Sequence, residues 1–282
     1  MNIFLVLLVL SCIIPFFILV SGSFSSETAL KTYGYTLFPK EFSLAAFKYL
    51  ATLYKTIIRS YVMSMVITVI GTLANVCITF MFAYPLSRKY LPGRRFFSFF
   101  VFFTMLFNGG FVPTYLIYSN VFHIVDKFAA MIIPYLLMNA FYVIMVRTYI
   151  QSNVPDEVIE AGKIDGASEI TILTKIVVPM STPIIGTISL MTAIGYWNNW
   201  TNGVYFIRQN TQYFGIQNFL NSVMNNITVL QSHSSAVNMA QQFPSTGMRM
   251  ALAVIAVIPV LIAYPFFQKS FVAGITVGSV KG

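Results

Sequence analysis

In a chain of 282 residues, 57% hydrophobic and only 9% charged, the charge deficit excludes an ordinary soluble domain, which carries about 25% charged residues. A net charge of +9, from 17 Lys and Arg against 8 Asp and Glu, could suit nucleic acid. No basic stripe is interleaved with aromatics, however, so the cations read as flanks of membrane helices. Cys12 and Cys77 both fall inside apolar stretches, which argues against a disulfide framework or metal site and reads them as core residues.

Six long spans, 1–26, 60–87, 96–125, 128–146, 176–207 and 250–268, are neutral or nearly so. Each can supply the ~20 apolar residues that a helix needs to cross a ~30 Å hydrocarbon core. The ~10-residue alternation of barrel strands is missing. The expected fold class is therefore an all-α membrane protein, one transmembrane domain over 1–282. Its six transmembrane helices run at about 2–21, 60–87, 96–118, 128–150, 183–206 and 248–268.

The first span has no Lys or Arg before it and five spans after it, so it reads as a retained helix rather than a cleaved signal. After the second, "SRKYLPGRR" gathers Arg88, Lys89, Arg94 and Arg95. Short loops this basic stay in the cytoplasm. Both termini and loop 151–180 then lie inside, and segments 22–59 and 207–247 lie outside. Pro15, Pro85, Pro113, Pro134, Pro259 and Pro265 punctuate the spans and are expected to kink them. The amide-rich outer stretch 208–242 suits a hydroxylated ligand, a protein partner or plain solvation.

Between the fourth and fifth spans, "SNVPDEVIEAGKIDGASEITILTKIVVP" holds five of the eight acids: Asp156, Glu157, Glu160, Asp165 and Glu169. Ser152 or Asn153 can cap a first helix, acids in its first turn suit the helix dipole, and Glu160 and Lys163 can pair. Gly166 can take the left-handed conformation of a turn. Ser168 can then cap a second helix, Glu169–Val178, with Ile170, Leu173 and Val177 on one face and Pro179 ending or bending it. Such a knob cannot enter lipid and suits docking to a soluble partner.

This stretch resembles the EAA loop of ATP-binding-cassette (ABC) importer permeases: Glu-Ala-Ala, three residues, Gly, nine residues, Ile-x-Leu-Pro. Here it reads Glu160-Ala161-Gly162, then Gly166, then Ile176-Val177-Val178-Pro179. Gly162 and Val178 depart from the pattern, and Gly162 loosens the first helix by roughly 1 kcal/mol relative to Ala. "NGGFVPTYLIYSNVFHIVDKFAAMIIP", "GYWNNW" and the tail "PFFQKSFVAGITVGSVKG" resemble carbohydrate-uptake permeases of the MalG-like type I fold, in the LplC/YtcP-like branch.

The resemblance implies a permease subunit that imports sugars, oligosaccharides among them, in the bacterial cytoplasmic membrane. It implies that Glu160, Ala161, Gly162, Asp165, Gly166 and Pro179 couple to ATPase subunits. The implied partners are a second homologous permease (a heterodimer), two cytoplasmic ABC ATPases and an extracytoplasmic solute-binding protein. Tyr196, Trp197, Asn198, Asn199 and Trp200 combine aromatic faces and amides, which suits either a sugar pathway or an interfacial belt with packing amides. No G-x-x-x-x-G-K-[ST] loop is present. ATP and Mg are thus expected on the partner ATPase, with no cofactor or metal on this chain.

An ion-gradient-driven secondary transporter is the alternative. It usually requires ionisable residues within the membrane, and no acid lies at the centre of a span; Asp126 sits at an edge. A membrane enzyme is disfavoured, because His123 and His233 are far apart and no H-E-x-x-H motif is present.

Overall fold

The computed structural model describes residues 2–232 and 245–279, and among them there is no β-strand, only one isolated bridge between Ser25 and Phe42. The helices are α1 Asn2–Ser23, α2 Glu27–Tyr33, α3 Ala45–Thr52, α4 Tyr54–Ser87, α5 Arg94–Leu106, α6 Phe111–Leu116 and α7 Ala129–Ile132. They continue as α8 Ala140–Asn153, α9 Asp156–Ile164, α10 Glu169–Ile172, α11 Val178–Met180, α12 Thr182–Asn198, α13 Thr201–Phe206, α14 Ile216–Ser232 and α15 Ser245–Ser279. Two π-helical turns, Ile117–Val121 and Leu173–Val177, extend α6 and join α10 to α11.

By length and composition, α1 (from Phe4) and α4 can each cross a membrane. Two bent pairs pass the same test as units. These are α5 with Phe111–Val121, bent by 115°, and Glu169–Met180 with α12, bent by 85°. The expected helices 96–118, 128–150 and 183–206 are thus interrupted at 107–110, 133–139 and 199–200. Of the six prolines expected to kink a span, Pro134 sits in a break and Pro113 lies in the turn after one. Pro15, Pro85, Pro259 and Pro265 are accommodated within continuous helices. The first two breaks carry glycine or proline: Gly109 and Gly110 in one, Pro134 in the other.

By its internal contacts the chain divides into two compact units. One comprises residues 1–63 and 214–262. Here the segment after α1 is itself helical: Ser26 caps α2 by accepting from the Ala29 amide at 3.0 Å. Glu27 turns its carboxylate to the start of α15, accepting from Thr246 N at 3.0 Å and Gly247 N at 3.2 Å. Negative charge there complements the exposed amides of a helix N-terminus. Leu50, Ile216, Met248 and Leu252 are buried, and Tyr61 donates to the Ile255 carbonyl. Cys12 is exposed rather than core, because α1 is open along most of its length.

The other unit comprises residues 64–213 and 263–282. Its apolar core joins the end of α4 to α5, α8, α9, α10 and α12 through Phe80, Val101, Val146, Ile159, Ile172 and Ile188. Cys77 is also exposed, on a side of α4 turned away from that core. His233 lies outside the described residues.

Candidate functional site

The acidic stretch folds as two short helices, α9 and α10, joined by a tight turn. Ser168 caps α10, accepting from Thr171 N at 3.2 Å. Gly166 has φ +76°. Its amide reaches Lys163 O and the Ala167 amide reaches Gly162 O, both at 3.0 Å. That double bond pattern ends a helix with a left-handed residue, where glycine avoids a Cβ penalty. Ser152 and Asn153, expected as caps, belong instead to the last turn of α8; Pro155 occupies the cap position of α9 without a side-chain bond.

Gly162 lies on the inner side of α9. A Cβ there would come 3.0 Å from Ile176 Cδ1 and 3.5 Å from Ile172 Cγ1. The departure from the second Ala therefore serves close packing between the two arms. On the second arm the buried residues are Ile172 and Val177, while Ile170, expected inside, is 74% exposed. The π-turn Leu173–Val177 accounts for the difference. It widens the repeat to five residues, so 172 and 177 share a face that a regular α-helix would separate.

The five acids divide between two faces. Asp156 accepts from the buried Arg88 guanidinium at 3.0 Å, with Lys89 Nζ at 3.6 Å. Glu169 accepts from Lys163 Nζ at 2.7 Å and from the Tyr84 hydroxyl at 2.6 Å. Lys163 also donates to the Tyr90 hydroxyl and lies 4.0 Å from that ring's centre. The expected Glu160–Lys163 pair does not form, because Lys163 turns to Glu169 and its tyrosine shell. Hydrogen bonds to Glu169 and Tyr90 raise the Lys163 pKa. Burial pushes the Glu169 carboxyl up, but the bonds from Lys163 and Tyr84 outweigh it and hold the group below its ordinary value. Glu157, Glu160 and Asp165 are exposed, and no ion pair reaches them among the described residues. Ile164 stands beside them, 86% exposed.

A second polar constellation lies in apolar surroundings. Between α7 and α8 the backbone runs non-helically through 133–139, with Tyr135 at φ +66°. Its carbonyls, and that of Ile132 just before it, are met by side chains of other helices. Asn75 Nδ2 donates to Leu136 O at 2.7 Å and Leu137 O at 3.2 Å. The Tyr196 hydroxyl donates to Ile132 O at 3.0 Å, and Asn202 Nδ2 to Pro134 O at 3.1 Å. Thr192 donates to Asn75 Oδ1 at 3.2 Å, fixing the amide's orientation. Gly71 makes room for this: a Cβ there would fall 2.4 Å from the Tyr196 ring. Broken backbone inside an apolar span is tolerated where neighbours satisfy it in this way.

A third anchor sits at Asp126, φ +57°. Its Oδ1 accepts from the amides of Arg208, Gln209 and Asn210 at 2.7, 2.8 and 3.2 Å. The Gln209 amide is the largest influence lowering its pKa; burial opposes it, and the Asn210 and Arg208 amides add to it.

Residues 49–277 match the family described as binding-protein-dependent transport system inner membrane component. The chain belongs to that family. Protein LplC of Bacillus subtilis (strain 168) is 36% identical, over 96% of this chain and 90% of its own length. The polygalacturonan/rhamnogalacturonan transport system permease protein YtcP of the same organism is 36% identical, over 99% of this chain and 96% of its own. The crystal structure of a bacterial ABC transporter involved in the import of the acidic polysaccharide alginate aligns with TM-score 0.81 and 28% identity, covering 96% of this chain and 94% of that one. This chain is thus a multi-pass inner-membrane permease component of a binding-protein-dependent ABC importer, a transport protein rather than an enzyme.

Within that family frame, the residues picked out from "GYWNNW" fall in different environments. Tyr196 and Trp197 are buried, and the Tyr196 hydroxyl is taken by the broken backbone. Asn199 accepts from Asn202 N at 2.9 Å, Asn198 is exposed, and Trp200 is 45% exposed. Asn75, Thr192 and Asn202 were missed by the sequence reading. The signal was available: a solitary amide such as Asn75 within "GTLANVCITF" is costly unless it has a partner.

Proposed function

We propose that this permease imports sugars, oligosaccharides among them. On this reading it shares the pathway with a second homologous permease, as a heterodimer. Two cytoplasmic ABC ATPases carry the ATP and Mg, and an extracytoplasmic binding protein delivers the solute. Both termini and the α9–α10 hairpin lie on the cytoplasmic side, as the basic "SRKYLPGRR" loop favours. Energy enters through the hairpin.

The observation that carries this reading is the hairpin's outward face: Glu160 and Asp165 without intramolecular ion pairs, beside an exposed Ile164. Apolar surface rimmed by unpaired charge suits docking into a soluble cleft. On that surface Glu160, Ala161, Asp165 and Gly166 make the contact, Gly162 keeps the arms close, and Pro179 helps set the angle into α12. The sugar assignment is supported by relatives named for polygalacturonan and arabinooligosaccharides, and by the alginate importer. Asn198, Asn199 and Trp200 are the pathway candidates, with Tyr196 and Trp197 behind them.

The test is ATP hydrolysis by the reconstituted importer with its binding protein, challenged with arabino-oligosaccharides, raffinose, oligogalacturonides and alginate oligomers. Stimulation by at least one supports the proposal. Uptake into vesicles driven by a proton or sodium gradient, without ATP, would favour the secondary-transporter alternative.

A further inference from the structure

The hairpin's inner face raises a question that its outer face does not answer: along which route does its movement reach the membrane helices? The covalent route is a poor lever. Between α10 and α12 lie a π-turn, the short α11 and an 85° bend. That path changes helical repeat and then direction before it reaches α12.

A lateral route is shorter. Four residues at or just beyond the end of α4 reach the hairpin: Tyr84 bonds Glu169, Tyr90 bonds Lys163, and Arg88 and Lys89 meet Asp156. The second arm is thereby tied to α4 itself and the first arm to the loop that leaves it. Beside Glu169 opens a groove of about 330 Å³, lined by Met81, Tyr84, Pro85, Leu91, Ile170 and Leu173 among others. Along this edge apolar packing is incomplete, and the polar bonds span the gap. Lys163 and Glu169 are 35% and 54% exposed, so their pair contributes little to folding. Its geometry is nonetheless specified by two tyrosines.

We propose that Lys163 and Glu169 are positioning residues that lock the hairpin onto the end of α4, so that hairpin and helix move as one body. The proposal rests on the coupling role given to the hairpin above. It adds the residues that pass the motion on, as distinct from those that receive it.

The experiment uses the complete reconstituted importer, with partner permease, ATPases and binding protein. Cys12 and Cys77 are replaced by Ser, and spin labels are placed through Val158→Cys on α9 and Leu73→Cys on α4. The label-to-label distance is measured without nucleotide and with ATP trapped on the ATPases. With Lys163 and Glu169 intact, one narrow distance is expected in both states. In Glu169→Ala and Lys163→Ala the distance broadens, or shifts with ATP by about 1–2 Å or more, the size of a helix sliding on its neighbour. The charge swap Lys163→Glu with Glu169→Lys returns the single distance.

A distance that already shifts with ATP in the parent protein overturns the proposal, as does Glu169→Ala leaving it fixed. The coupling role is judged separately. Glu160→Lys with Asp165→Lys alters only the outer face, and if ATPase subunits still co-purify in full, that role fails whatever the distances show.

Discussion

The hairpin α9–α10 and the broken stretch 133–139 are both held by polar side chains, yet in opposite styles. The hairpin is tied by charged side chains to one another: Asp156 to Arg88, and Glu169 to Lys163. The broken stretch is tied by neutral side chains to backbone carbonyls: Asn75, Tyr196 and Asn202. Access to water explains the choice. Where solvent reaches, as at Lys163–Glu169, an ion pair is cheap to form and cheap to break, contributing about 0–1 kcal/mol; Asp156–Arg88, with its guanidinium buried, is harder to break. Where it does not, a charge would be far too costly and an unmet carbonyl still expensive, so neutral amides and hydroxyls take over. The two regions therefore differ in what losing one bond costs, not in whether they are held in place.

Substitutions should separate the two regions in order of cost. Asn75→Leu strands two carbonyls and releases Thr192, and should cost about 2 kcal/mol, read as a lowered thermal midpoint in detergent. An unchanged midpoint would mean that 133–139 is not held by this amide. Gly166→Val forces a β-branched residue into φ +76° and should cost about 1–2 kcal/mol, with local loss of hydrogen-exchange protection at the turn. Glu169→Gln should lower stability by less than about 1 kcal/mol, since the pair is partly exposed. A loss as large as that of Asn75→Leu would erase the distinction between the regions.

Acid gives a subtler comparison. The Asp126 pKa is lowered in the folded chain, so its contribution to stability is present above the ordinary carboxylate value and is lost as pH falls through the lower folded value. Protection of the Arg208, Gln209 and Asn210 amides should therefore persist through mild acid and fade only below the ordinary carboxylate range. Asp126→Asn should weaken it at neutral pH. Protection that fades already in mild acid would show that the carboxylate is not the anchor.

The hairpin was largely legible in the sequence because its signals are local: Ser168 as a cap, Gly166 as a left-handed turn, the spacing from Glu160 to Pro179. What escaped was set by tertiary partners. Lys163 chose Glu169 over Glu160 because Tyr84 at the end of α4 and Tyr90 in the loop after it meet them there, and Ile170 faces outward because of a π-turn that no local preference announces. The spans were legible as apolar segments, but not their breaks. Hydrophobicity is blind to where a backbone leaves the helix, and "AMIIPYLLMN" is as apolar across the break as beside it. Tyr196 suited either a sugar pathway or helix packing, and its hydroxyl donates to Ile132 O. Only the fold shows that 64 residues of separation close to 3.0 Å.

The central claim is that the hairpin's acids have two separate jobs, Asp156 and Glu169 holding it in place and Glu160 and Asp165 meeting the ATPase. Co-purification of the ATPase subunits with Glu160→Lys/Asp165→Lys importer, alongside its thermal midpoint, tests this most directly. The account predicts an unchanged midpoint with most of the ATPase lost. Full retention of the ATPase, or a midpoint that falls in step with its loss, would contradict it.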